Sequence, residues 1–346
     1  MAKPGSAIPN PTIASGARLS PAFAPAPLLP MVTTRWRTFG LPLLLLVVSL
    51  ITMTAIGARF MQNFLDGLPA VANESDLWPW PWLLAEPHRF LLGWPFSLSL
   101  LGILLTHEFG HYIACRVHGI RATLPMVLPA PTLSGTAGAV IQLRSRIPNR
   151  RALMDVGVYG PLAGYIASLV VTATGLLLST AAPADQAPAL IGFGEPLTLR
   201  LLHAALRHLH PATPSFELAA RHPVLIAGWI GLFITALNLI PGGQLDGGHI
   251  LYAIWPATYR KLRYAVPLTL IACGIFFWIG WTLWGLLLLI PVMRHPHVHE
   301  SPGLDRKRMA LGAIALAIFT LTFSAAPFTG SSVIHYFVSG EHTDKR

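Results

Sequence analysis

The chain has 346 residues, 53% of them hydrophobic and only 11% charged, with a net charge of +10. Soluble domains carry about 25% charge, so this deficit excludes an ordinary water-soluble enzyme and points to lipid as the main solvent. The basic excess would suit nucleic acid, but its Lys and Arg residues flank apolar runs instead of forming one stripe, which excludes that partner.

Residues 1–34 are rich in Pro, Ala and Ser without helical period and read as a disordered cytoplasmic tail. Prolines interrupt every candidate apolar core there, so it does not read as a signal peptide. The first charge-free run, 38–58, lies between Arg37 and Arg59 and is long enough to span a bilayer, which takes about 20 residues. Arg35 and Arg37 put its start in the cytoplasm. In the following loop Trp78, Trp80 and Trp82 alternate with prolines, as in an interfacial aromatic belt. A second span runs from about Phe90 to Cys115.

Prolines and glycines break residues 121–150, and Ala139–Arg144 reads as a short strand, so a membrane-associated strand or hairpin follows the second span. Arg144, Arg146, Arg150 and Arg151 place this segment in the cytoplasm. A third span, 153–178, contains Gly160 and Gly164, a spacing that lets helices approach closely. Within the loop 179–221, residues 197–209 read as an amphipathic helix, lying on the membrane surface or packing on the spans. The fourth span starts near Val224, breaks at Pro241–Gly243 and again at Gly247–Gly248, and resumes to Trp255; such breaks need protein or a cavity around them. Residues 264–293 carry no charge between Arg263 and Arg294 and read as a tight helical hairpin, and a final span covers about 309–328. The expected fold is an all-α polytopic membrane protein of six or seven transmembrane helices. Its membrane-embedded domain covers 35–328, with a catalytic core at 90–255 and a short tail at 329–346.

The chemistry lies in the second span. His107-Glu108-Phe109-Gly110-His111 is an HExxH sequence. Helical residues four apart share a face, so both imidazoles reach one ion. Zinc takes His nitrogens at about 2.0–2.1 Å and favours four ligands. Glu108 follows the first ligand and takes a proton from the attacking water. Burying a carboxylate in such a span costs about 2.5 kcal/mol or more, which a purely structural cluster must offset. A third ligand is needed. Asp155 sits beside Arg150 and Arg151, where a helix cap or ion pair accounts for it. Asp246 lies in the broken fourth helix with no local partner, and a metal would neutralise it. If the tail is inside, His111 and Asp246 both fall near inner span ends, at similar depth. Cys115, four positions after His111, reads as a small buried apolar residue, with a thiol near the metal as the alternative. His249 reads as packing or as a group behind the ligands. His295, His297 and His299 read as a solvated loop, or as a surface metal tract.

With these residues the sequence resembles the site-2 proteases, the intramembrane zinc metalloproteases. The resemblance covers about 90–255 and rests on His107–His111 and on Leu245-Asp246-Gly247 preceded by Asn238 and Pro241. Gly135–Gly138 and Gly160–Gly164 look like segments of bacterial and plastid members. The resemblance implies one zinc per chain on His107, His111 and Asp246, Glu108 as general base, and Asn238 positioning substrate or stabilising the oxyanion. Members commonly have proline after that asparagine; here Leu239 follows. The loops are too short for a PDZ domain and the end too short for a paired CBS domain, so the chain looks like a compact member. The expected activity is cleavage of a single-span membrane protein near the cytoplasmic side, in a bacterial cytoplasmic membrane; Arg greatly outnumbers Lys, as in GC-rich bacteria. The alternative is a zinc transporter or a non-catalytic metal-binding membrane protein. A carrier would need ligand sets repeated in two halves, and the sequence shows one.

Overall fold

A computed structural model describes residues 39–183, 188–214, 216, 219–293, 295–299 and 301–329. The tails expected at 1–34 and beyond 329, and the flanking Arg294, lie outside the described residues.

The first helix, α1, runs Leu41–Leu65, with Pro42 in its first turn, where no backbone N–H is needed. It therefore passes through Arg59, the expected flank of the charge-free run. Arg59 is tolerated inside the helix because its Nε donates to Asp76 Oδ1 at 2.6 Å. Asp76 sits in a short 3-10 turn, Glu74–Leu77, held by a capping box on Asn73. Burial alone would raise the Asp76 pKa. Hydrogen bonds from Arg59, the Ala72 and Asn73 backbone and Asn63 outweigh it, and the carboxyl titrates below its usual range. The helix α2, Trp80–Ala85, carries Trp82, whose ring lies 5.1 Å from the Arg59 and 4.8 Å from the Arg89 guanidinium.

Helix α3 is Trp94–Val117, entered through a 3-10 stretch, Pro87–Gly93. After it come β1, Met126–Pro129, and β2, Thr136–Val140, an antiparallel hairpin with Val127 opposite Ala139. The Thr136 hydroxyl donates to the Leu128 carbonyl at 2.7 Å and pins the turn. Helix α4, Arg150–Leu178, starts at Asn149, whose side chain accepts from the Ala152 N–H. Three short strand pieces follow in the loops: β3 (Thr180–Ala181), β4 (Gly192–Phe193) and β5 (Ala219–Ala220), with β3 paired to β5. Helix α5, Leu197–Leu209, lays Leu199, Leu202 and Leu206 on the main apolar core, so packing on the spans is what its apolar face does.

The fourth expected span is two helices, α6 (Pro223–Asn238) and α7 (Asp246–Ile254). The chain breaks once, at 239–245, and not at Gly247–Gly248, which form the first turn of α7. Glycine is required there for a different reason: a Cβ on Gly247 would lie 2.1 Å from the Leu239 carbonyl oxygen, where α7 starts against the end of α6. Helices α8, Pro256–Phe276, and α9, Gly280–Leu289, make the expected hairpin, packed around Leu270, Trp281 and Leu288. The last helix, α10, is Arg306–Thr322 and stops short of the expected end, because Phe323 turns extended and the strand β6, Phe328–Thr329, pairs with β4.

Helix α4 is the hub, lying against α3, α6, α7 and α10. The core around Phe60, Phe96, Leu100, Leu176 and Leu225 joins α1, α3, α4 and α6. Three helical segments are long and apolar enough to cross a membrane: Leu41–Leu65, Pro87–Val117 and Arg150–Leu178. They turn Leu43, Val47, Ile113, Ile166 and Val170 outward, the faces lipid would cover. Among the described residues α6 and α9 are apolar but shorter, so three of the expected six or seven spans meet the length and composition of a crossing.

Candidate active site

His107, Glu108 and His111 stand in the second half of α3 and are 4%, 6% and 7% exposed. One helical turn separates the imidazoles, whose Nε2 atoms are 3.0 Å apart. His111 Nδ1 donates to the Val156 carbonyl of α4 at 2.7 Å, because a carbonyl oxygen can only accept. That leaves the His111 Nε2 lone pair facing His107.

Asp246 enters from the opposite side as the first residue of α7. The turn before it contains Gly243 at φ +57, a left-handed conformation that other side chains rarely adopt. Asp246 Oδ2 lies 3.4 Å from His107 Nε2 and 3.3 Å from His111 Nε2. One donor atom from each of the three residues falls within 4.8 Å of the others, and no further such cluster occurs among the described residues. Asn238, the last residue of α6, brings its side-chain Nδ2 to 3.3 Å from His107 Nε2.

The glycines of α4 make this convergence possible. A Cβ on Gly160 would lie 2.2 Å from His111 Nε2, and one on Gly164 would lie 2.7 Å from His107 Nδ1. The close approach that their spacing suggested is thus an approach of imidazole rings to a bare helix surface. Glu108, His107, His111, Asn238 and Asp246 all line a cavity of about 500 Å³, together with residues 139–143, the end of β2 and the stretch after it. The Ile141 backbone N–H reaches the Glu108 carboxylate.

Asp155 is elsewhere. Arg308 of α10 grips both its oxygens, at 2.9 and 2.5 Å, and His118 Nε2 lies 2.7 Å from Oδ2. Its ion-pair partner is therefore Arg308, not the adjacent arginines, which bond to the carbonyls of Ala253 and Ile254 (Arg150) and of Gly303 (Arg151). Cys115 is buried among Ala114, Ile120, Ala152 and Val156, outside the three-residue cluster. His249 also lies outside it and pairs with His295 at 2.8 Å. His295 stacks on Tyr252 at 4.3 Å and is half-buried, unlike a solvated loop residue. Sequence reading missed this pair because nothing local links positions 46 residues apart.

A profile described as Peptidase family M50 matches residues 95–280, more than half of the chain. The chain is 35% identical over 240 residues to a probable zinc metalloprotease EGY1, chloroplastic, of Arabidopsis thaliana, covering 66% of this chain and 42% of that protein. The EGY1 protein of Oryza sativa subsp. japonica gives 35% over 247 residues, 66% of this chain and 40% of the relative. A probable zinc metalloprotease EGY2, chloroplastic, of Arabidopsis thaliana gives 27% over 278 residues, 77% of this chain and 47% of the relative. The chain spans less than half the length of these relatives.

Proposed function

This chain belongs to peptidase family M50, and from that premise we propose that it is an intramembrane zinc endopeptidase, cutting a single-span membrane protein within or beside its transmembrane segment. The observation that carries the proposal is the meeting of His107, His111 and Asp246 donor atoms within 4.8 Å, from elements far apart in sequence, inside an otherwise apolar helix packing. Two imidazoles and a carboxylate are a donor set that suits zinc, with room left for a fourth ligand. The names of the relatives also specify zinc. One ion per chain held by these three residues would supply Lewis acidity to the scissile carbonyl and a more acidic water.

The chain's own groups do the rest. Glu108, beside the first ligand and at the cavity edge, takes a proton from the attacking water and returns it to the leaving nitrogen. Val156 holds the His111 ring with Nε2 unprotonated, the state a ligand needs. Asn238 offers an amide N–H beside His107, suited to an oxyanion or a substrate carbonyl. A helical substrate hides its carbonyls in hydrogen bonds and has to unwind locally first. The end of β2 and the stretch after it, residues 139–143 along the cavity, can hold the unwound segment extended by edge pairing.

We read the fold as six or seven crossings, with α6 to α10 supplying those beyond the three long helices. The Arg residues at 144–151 support a centre on the cytoplasmic side. The relatives' names place those proteins in the chloroplast; the Arg-rich, Lys-poor composition of this chain supports a bacterial cytoplasmic membrane. A carrier reading lacks a second ligand cluster among the described residues. The test is incubation of the purified chain in liposomes with candidate single-span proteins. Cleavage that stops with a chelator and returns with zinc is expected; cleavage indifferent to the chelator would overturn the proposal.

A further inference from the structure

His249 borders the active cavity, whereas His295 borders a separate cavity of about 220 Å³ together with Tyr252, Tyr259 and Arg263. The two rings, one at each cavity, are joined by the 2.8 Å contact from His249 Nδ1 to His295 Nε2. Neither ring belongs to the three-residue cluster.

The proton positions on this pair follow from its contacts. His295 Nδ1 lies 2.6 Å from the Pro296 carbonyl oxygen, which can only accept, so Nδ1 carries a hydrogen. Burial holds the His295 imidazole below its usual pKa despite that carbonyl, so the ring is neutral and its Nε2 is a bare acceptor. The hydrogen between the rings therefore belongs to His249 Nδ1. In the neutral ring His249 then has no proton on Nε2, and the residue lines the active cavity.

The His295 ring is firmly held. Tyr252 stacks on it at 4.3 Å and 8°, and the Tyr259 ring meets it edge-on at 5.5 Å. Tyr252 and Tyr259 are fixed in turn by the Val298 N–H, which donates to the Tyr252 hydroxyl at 3.4 Å, and by the Gly243 carbonyl, which accepts from the Tyr259 hydroxyl at 3.0 Å. Residues from α7, α8 and the segment after α9 thus converge on one imidazole that touches no metal-ligand candidate.

We propose that His295 locks His249 in the tautomer with a bare Nε2, and that this nitrogen accepts a hydrogen bond from a backbone N–H of the extended substrate. An extended peptide presents N–H and C=O groups on both edges. Pairing with residues 139–143, the end of β2 and the stretch after it, uses one edge; the other is left for α6 and α7, where Asn238 offers a donor and His249 offers the acceptor. His249 is then a substrate-positioning residue, and His295 acts through it. The inference rests on the proteolytic reading given above.

The experiment has two arms on the full-length chain. In the first, the protein is labelled with nitrogen-15 histidine, and the His249 signals are assigned by their loss in His249→Phe. A protonated Nδ1 and an unprotonated Nε2 are expected; the opposite tautomer would overturn the lock. In the second, cleavage is followed on a single-span peptide carrying a sequence the liposome assay shows to be cut. His249→Phe should raise KM about tenfold with kcat within about twofold, the loss of one hydrogen bond. His295→Gln, whose carbonyl accepts from His249 while its amide donates to Pro296, should keep the wild-type KM. His295→Lys, a donor only, should raise KM as His249→Phe does. An unchanged KM in His249→Phe, or a fall confined to kcat, would overturn the substrate role. If His249→Phe misfolds, the His249 signals are assigned by their loss in His249→Gln instead, so the wild-type spectrum still decides the tautomer. If the wild type cleaves nothing, the proteolytic reading and the substrate role fall together, and the spectrum shows separately whether the lock holds.

Discussion

At the scale of single residues, the chain puts its most expensive side chains where solvent is scarcest. A buried carboxylate or imidazole in an apolar helix has to be paired, since desolvation of an isolated charge is not repaid by packing. His107 and His111 are paired with each other and with Asp246, and Asp155 is paired with Arg308 and His118. These two acidic clusters give opposite expectations. Asp246→Ala should cut bound zinc about tenfold or more, because one of three protein ligands is lost. Asp155→Ala should leave zinc near one per chain while lowering thermal stability, because it leaves the Arg308 charge without its principal partner. Metal analysis of both purified variants checks this, and full zinc in the Asp246 variant would move the third ligand elsewhere.

At the scale of elements, α4 is the bearing surface of the site. Gly160→Ala introduces a Cβ 2.2 Å from His111 Nε2, so the ring has to move. Helix propensity favours the change by about 1 kcal/mol, so the helix itself should survive. The expected result is a folded protein with zinc content lowered about tenfold, as when a group orienting a ligand is lost. Gly102→Ala, where a Cβ meets nothing within 4 Å, serves as the control and should bind zinc normally. Much of this element logic was legible in the sequence. The HExxH spacing fixes a face of α3, the Pro241–Gly243 break marks the end of α6, and the charge-free run 264–293 folds back as a hairpin. What stayed hidden depends on partners distant in sequence. Arg59 looks like a span boundary until Asp76 is seen beside it, Asp155 looks locally capped until Arg308 reaches it from 153 positions away, and His295 looks solvated until Tyr252 covers it.

At the scale of the whole molecule, the orientation of the bundle decides on which side the cut falls. With the cytoplasmic assignment, Glu74→Cys, at the exposed turn after α1, should react with an impermeant thiol reagent added to intact cells. Arg146→Cys, in the exposed segment before α4, should react only after the membrane is opened, with Cys115 and Cys273 first replaced. Labelling of the Arg146 position from outside would invert the bundle and move the cut to the other face, while the ligand set would stay as it is. The claim on which everything else depends is that the buried centre hydrolyses peptide bonds with Glu108 as its base. The most direct measurement is the cleavage rate of Glu108→Gln in liposomes at a zinc content equal to wild type. An amide cannot take the water's proton, so the rate should fall by a factor of about 100 or more with zinc retained. Cleavage at a rate close to wild type by the zinc-loaded variant would contradict the account.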